Sequence, residues 1–202
     1  MARSGPKRSG PRGDGRPRQT RSAIVDATVA ALVEVGFSGT SARAVAERAG
    51  IAPGGVFYHY GSMDELLAEV FTTCLDRRIE RLRAAVDVPR TGLPEAFTDA
   101  VRADFAHPES RALLELTVGA IDSPVLAARV REGFDRSFAF TREVVETLLG
   151  DSPLAGSLPL DLVAQVAASA FFGLAVVRLV GAEVDIDGMT TLVNGLLQLM
   201  RG

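Results

Sequence analysis

Residues 40–60 read TSARAVAERAGIAPGGVFYHY, and the fold turns on this stretch. Around Gly50 the small or apolar residues Val45, Ala46, Ala49, Ile51 and Val56 fall where two crossing helices bury side chains against each other. Ala46 lets the second helix approach closely. Gly50 supplies the left-handed backbone that ends the first helix, a conformation costing a residue with a Cβ about 1–2 kcal/mol. Pro53 suits the first position of the second helix, where its missing N–H would be unpaired in any case. That helix, from about Pro53 to Tyr60, is too short to stand alone, so its outward face is there to be presented to another molecule. The spacing is that of a helix-turn-helix, although any two packed helices can share it.

The flanks narrow the reading. Ile24, Val25, Thr28, Ala31, Leu32 and Val35 recur at three- and four-residue intervals over 22–35, which predicts an amphipathic helix ending at Gly36 and bracing the pair. After Gly61, Ser62 and Glu65 form a capping box, and Leu66, Leu67, Val70, Phe71, Cys74, Leu75, Ile79 and Leu82 lie on one stripe of a long fourth helix over 62–85.

Taken together, Gly36 to Leu67, GFSGTSARAVAERAGIAPGGVFYHYGSMDELL, resembles the signature of the TetR-type bacterial transcriptional regulators. The resemblance implies an all-α chain: an N-terminal three-helix DNA-binding domain with a helix-turn-helix, then a larger helical ligand-binding and dimerisation domain. It implies a homodimer placing one recognition helix in each half of a near-palindromic operator, most simply a repressor released by a small-molecule effector. Carried over by position, Arg43 contacts a base or phosphate, and Pro53, Gly54, Gly55, Phe57, Tyr58 and His59 occupy the recognition helix. Tyr58 and His59 can donate to phosphate oxygens, and Phe57 can meet a thymine methyl. Phe57 stands where the family often has Tyr, and Met63 where it often has Lys. The helix is therefore poor in donors for base edges, so discrimination leans on Arg43, apolar contacts and duplex shape. Gly54 and Gly55 read as permitting close approach to DNA.

An N-terminal arm compensates for the missing lysines. Residues 3–7 and 8–12, RSGPK and RSGPR, nearly repeat, and through Arg21 the segment holds seven basic residues against the single acid Asp14. Its Gly, Pro and Arg content predicts a disordered arm over 1–21, able to track phosphates through Arg16, Arg18 and Arg21 or to enter a minor groove. The domains expected are thus the arm, a reader over 22–67, and an effector-binding and dimerisation domain over 68–202, linked by the fourth helix. A basic start followed by a helix holding Asp26 and Glu34 is not a signal peptide, and a cytoplasmic location is expected. The lone Cys74 lies on an apolar stripe and suits packing. His59 and His107 have no metal-ligand spacing around them, and no catalytic motif accompanies them. Neither enzyme chemistry nor a cofactor is expected.

Beyond DVPRTG, at 87–92, helices are expected at Leu93 to Ala106, Pro108 to Ile121, Pro124 to Leu149, Leu160 to Val180 and Ile186 to Arg201, with no strand. The helix from Leu160 is apolar nearly all round. Its uninterrupted run, Val166 to Val177, is 12 residues against the ~20 a bilayer needs, so burial on two sides is expected and not a membrane span. Ala167, Ala170, Phe171, Leu174 and Val177 form one stripe, and Leu192, Val193, Leu196, Leu199 and Met200 another. Paired with their symmetry mates, the two helices would make a four-helix bundle. Phe97, Phe105, Leu113, Leu116, Phe134, Phe138 and Phe172 are candidates to line an effector pocket, with Glu115, Arg142 and Arg178 as polar groups that could orient a ligand. A C-terminal domain that binds a protein partner instead of a small ligand is the alternative.

Overall fold

The computed structural model describes residues 15–89, 92–150, 152 and 156–199. Helices follow one another as α1 (Gly15–Gly39), α2 (Ala42–Arg48), α3 (Gly55–Tyr60), α4 (Met63–Ala85), α5 (Leu93–Ala106), α6 (Pro108–Gly119), α7 (Pro124–Leu149), α8 (Leu160–Leu179) and α9 (Ile186–Leu199), with one 3-10 turn at Ala120–Asp122 before α7. Among the described residues there is no strand. The fold is all-α, with the helix-turn-helix at the N-terminal end and the larger helical part behind it.

α4 is the spine. Its stripe of Leu66, Val70 and Cys74 is fully buried, and α4 packs against α1 and α3 at one end and α5, α6 and α7 at the other. Ser62 accepts from Glu65 N at 3.1 Å and so satisfies one of the orphan donors of the first turn. One continuous core joins Ile24 and Leu32 of α1, Val45 of α2, Val56 of α3, the α4 stripe, Leu116 of α6 and Leu126 of α7. Reader and C-terminal part therefore share their apolar interior.

α6 lies against α1, and the contact is built around a break in α1. Gly36 takes φ 72, ψ −179 and interrupts the helix, which frees the N–H of Phe37. Glu115 Oε2 accepts from that N–H at 3.0 Å across 78 residues of sequence. The Phe37 ring lies flush on Gly119, where a Cβ would come within 2.2 Å of the ring. Nearby, Glu109 is buried at the start of α6 and accepts from Arg77 at 3.0 Å and Arg81 at 2.5 Å, while Arg77 also reaches Asp26 of α1 at 3.2 Å. Burial pushes the Glu109 carboxyl up, but its two arginine donors outweigh burial and hold it below the usual Glu range. Cys74 is buried beneath this network, and burial pushes its thiol up to about 12, so it packs as a small apolar group.

Two expectations need correction. Residues 15–21 are not part of a disordered arm: they extend α1, and residues 1–14 lie outside the described residues. The recognition helix starts at Gly55, not Pro53, because Gly55 N donates to Ala52 O at 2.8 Å and Pro53 sits in that turn. Within the single chain α8 keeps much of its apolar surface exposed. Ala164 is its one buried residue, and it packs against α7 while α9 packs chiefly against α5. By length and composition, Arg18–Gly39 and α8 are each apolar enough to cross a membrane; α1 spends its apolar side on the core, α8 does not.

Candidate nucleic-acid interface and ligand cavity

The helix-turn-helix is held by local geometry at each corner. Ser41 caps α2, accepting from Ala44 N at 3.3 Å. Gly50 has φ +64, the left-handed conformation the turn demands, and Ile51 N closes the turn on Ala46 O at 3.0 Å. Val56 and Tyr60 point inward, so the other side of α3 faces out. Tyr58 is 85% exposed and Phe57 50%, large rings left open by the described residues. Arg43 on α2, and Pro53 and Gly54 in the turn, are exposed beside them. The two glycines differ. A Cβ at Gly54 would meet nothing within 4 Å, whereas one at Gly55 would lie 2.9 Å from Ile51 Cδ1, so Gly55 serves the packing of the turn.

His59 and Arg21 are partly engaged within the chain. Arg21 donates to His59 O at 2.8 Å, its guanidinium stacks on the Tyr60 ring at 4.3 Å, and Tyr60 Oη donates back to Arg21 O at 3.1 Å. This three-way contact ties α1 to the end of α3. His59 is half-buried, with its ring edge-on to Tyr58 at 5.1 Å. Arg48 is ion-paired with Glu34. Arg18 is exposed on α1, and the side chain of Arg16 lies outside the described residues.

Behind the reader, α4, α5, α7, α8 and α9 enclose a cavity of about 540 Å³. Phe97, Phe105, Phe134, Phe140, Phe171 and Phe172 line it. Arg78 is the one charged lining residue among the described residues; its Nε donates to Asp104 at 3.0 Å and its guanidinium lies 4.7 Å from the Phe171 centroid. Arg78 and Asp104 also line a smaller adjoining void of about 50 Å³, with Ser110. Among the described residues no group of three or more His, Cys, Asp or Glu could hold a metal ion.

A family model described as bacterial regulatory proteins, tetR family, matches residues 24–70, the span that holds this reader. Residues 24–70 are a DNA-binding domain of the TetR family. An HTH-type transcriptional regulator of Mycobacterium tuberculosis is 26% identical over 169 residues, covering 81% of this chain and 84% of that one. The HTH-type transcriptional regulator AqdR of Rhodococcus erythropolis is 27% identical over 145 residues, covering 70% and 67%. The fold matches the crystal structure of a TetR transcription regulator from Haloarcula marismortui with a TM-score of 0.72 at 16% identity, over 92% of this chain and all of the other. The chain is a DNA-binding transcriptional regulator.

The other residues singled out in the sequence divide sharply. Phe105 and Phe172 line the large cavity, as do Phe97 and Phe134, while Leu113 faces the small void. Five of the proposed effector contacts do not. Glu115 is spent on the α1 break and Leu116 is in the core beneath it. Phe138 packs against Phe134 at 6.0 Å, Arg142 is exposed and paired with Glu146 and Asp161, both at 2.9 Å, and Arg178 stacks on Phe105 from outside at 5.4 Å. Of the α8 stripe, Ala167, Ala170, Phe171 and Leu174 border the cavity, with Ala167 and Ala170 also exposed, and a neighbouring row, Leu162, Val166, Ser169, Gly173, Val176 and Val180, is exposed at alternating four- and three-residue spacing. Val177 and Leu192 are exposed; the side chains of Leu196 and Leu199 lie outside the described residues. Asn194, which carries no motif that would single it out in the sequence, reaches the cavity from α9.

Proposed function

We propose that this regulator is a homodimeric repressor that reads a near-palindromic operator with Arg43, Phe57 and Tyr58 around Pro53 and Gly54, and lets go when a small molecule fills the large cavity. The exposed Tyr58 and Phe57 rings on a six-residue helix carry the reading, since nothing among the described residues accounts for their exposure. Tyr58 Oη and Arg43 suit phosphate and base contacts, and Phe57 suits a thymine methyl or sugar. Dimerisation supplies the two-fold axis. The outward row on α8 has coiled-coil spacing, and Val166 is 61% exposed and Val180 78%, so a second subunit is the cover that the helix lacks.

α4 is the coupling element we favour, because it runs from the reader to the cavity wall at Leu75, Arg78, Ile79 and Leu82. An effector that prefers a geometry with misplaced recognition helices weakens DNA binding, and DNA weakens effector binding equally. This assigns the chain no catalytic role, and a regulator of DNA works in the cytoplasm. Transcription in vitro from a promoter carrying the selected operator tests the sign: repression relieved by a cavity ligand supports the reading, and stimulation of transcription overturns it.

A further inference from the structure

The large cavity is long, and its two ends differ. On α7 its lining runs from Phe134 to Leu149, about 22 Å of helix. Arg78 shares with Phe134, Phe171 and Phe172 the end that adjoins the smaller void. Beyond Thr141 the walls are aliphatic, with Val144, Val145, Leu148 and Leu149 of α7 joined by Leu158 and Val163.

Arg78 holds unused donors. Its Nε donates to Asp104 at 3.0 Å, but its two terminal nitrogens have no hydrogen-bond partner among the described residues, and neither is sealed off as Arg81 Nη2 is. Burial holds the guanidinium below the usual arginine range despite Asp104, yet 19% of the side chain stays accessible. A group so deep in the chain is open toward the voids it lines, of which only the larger has room for more than a few waters. Asp104 is buried and borders the smaller void alone. An anionic ligand at Arg78 would add a second carboxylate to a pair that is already neutral, and bury one charge uncompensated. A cationic ligand would meet Arg78 with no carboxylate lining the cavity among the described residues. Ser137 and Thr141 spend their hydroxyl protons on the carbonyls of Gly133 and Ser137, so of these three polar linings only Arg78 has donors to offer.

Resting on the reading of the cavity as the effector site, we infer that it takes an uncharged, elongated apolar molecule with a carbonyl-type oxygen at one end, which accepts from the terminal N–H groups of Arg78 while the rest lies along α7 among the aliphatic side chains. A neutral acceptor satisfies the guanidinium without adding charge, and hydrogen bonds from charged donors are the stronger kind. A ligand with no acceptor would shut water out from Arg78 and leave its N–H groups bare.

The test is a set of four compounds on one skeleton, measured by equilibrium dialysis against the full chain at pH 7: hexanophenone, hexylbenzene, 2-phenylheptanoate and 1-phenylhexylammonium. Apolar transfer alone favours hexylbenzene, which has no oxygen to dehydrate. The expected order is the reverse: hexanophenone binds about tenfold more tightly than hexylbenzene, and about a hundredfold more tightly than either charged compound. In the Arg78→Met, Asp104→Leu double variant, which removes both charges together, hexylbenzene should become the tighter of the two. Hexylbenzene outbinding the ketone in the parent chain, a charged compound matching the ketone, the ketone keeping its lead in the double variant, or no binding in the whole set overturns the inference; the parent chain decides even if the variant fails to fold. Operator binding separates the ligand class from the effector reading. Hexanophenone that fills the cavity and leaves operator affinity unchanged overturns the effector reading alone; a charged compound that outbinds it and releases DNA overturns the ligand class alone.

Discussion

Arg43 and Tyr58 stand free on the reader while their neighbours Arg21, Arg48 and Tyr60 are tied to the chain. That contrast separates DNA contacts from scaffolding. Replacing Arg43 or Tyr58 with Ala is expected to weaken operator binding by about 1–3 kcal/mol, with stability changed by no more than about 0.5 kcal/mol; titration of labelled operator and thermal melts check both. Glu115 should behave in the opposite way at the level of stability. Glu115→Ala leaves Phe37 N–H without its partner and should cost about 1–3 kcal/mol in denaturant unfolding. An unchanged midpoint would mean the N–H finds water or another acceptor. Glu115 also marks the limit of sequence reading. A carboxylate in an apolar stretch looks like a ligand contact, and only the fold reveals a broken helix 78 residues earlier awaiting an acceptor. Arg142 misled although Glu146 lies one turn on in the same helix, because its second partner, Asp161, is on α8, whose packing against α7 no local pattern encodes.

At the scale of elements, boundaries were legible wherever a residue type forces them. Ser62 caps α4, Pro108 and Pro124 open α6 and α7, and Gly50 turns the reader. The side of α8 that meets the cavity was not legible, because an all-round apolar helix has no polar face to set its rotation. The α1–α4–α6 junction carries a pH signature. The Glu109 carboxyl lies below its unfolded value, so its contribution to stability is fully present above the ordinary Glu range, near 4.3, and is lost as pH falls through the lower folded value. Glu109→Gln should flatten the acid side of the stability profile measured by denaturant unfolding between about pH 5 and 3; an unaltered profile would remove Glu109 as its source. The arm over 1–14 is argued from charge alone. Deleting residues 2–13 removes Arg3, Lys7, Arg8 and Arg12, and each phosphate they would have neutralised should lower the slope of log K against log salt by about 0.9. The same slope after deletion would show the arm idle.

For the whole molecule, the reader and the cavity belong to one core, so a change in cavity shape has a continuous path through α4 to α3. The outward row of α8 is exposed, and Val166→Glu should convert a dimer to monomers in sedimentation velocity while leaving helical content unchanged. The most direct test of the account is selection of genomic fragments by the protein, followed by footprinting on the enriched site. Two protected half-sites related by a two-fold, with centres about 10 base pairs or a multiple apart, and loss of protection in the Arg43→Ala, Tyr58→Ala double variant, are the predicted result. An enriched site without two-fold symmetry, or one the double variant protects as well as the parent does, would contradict it.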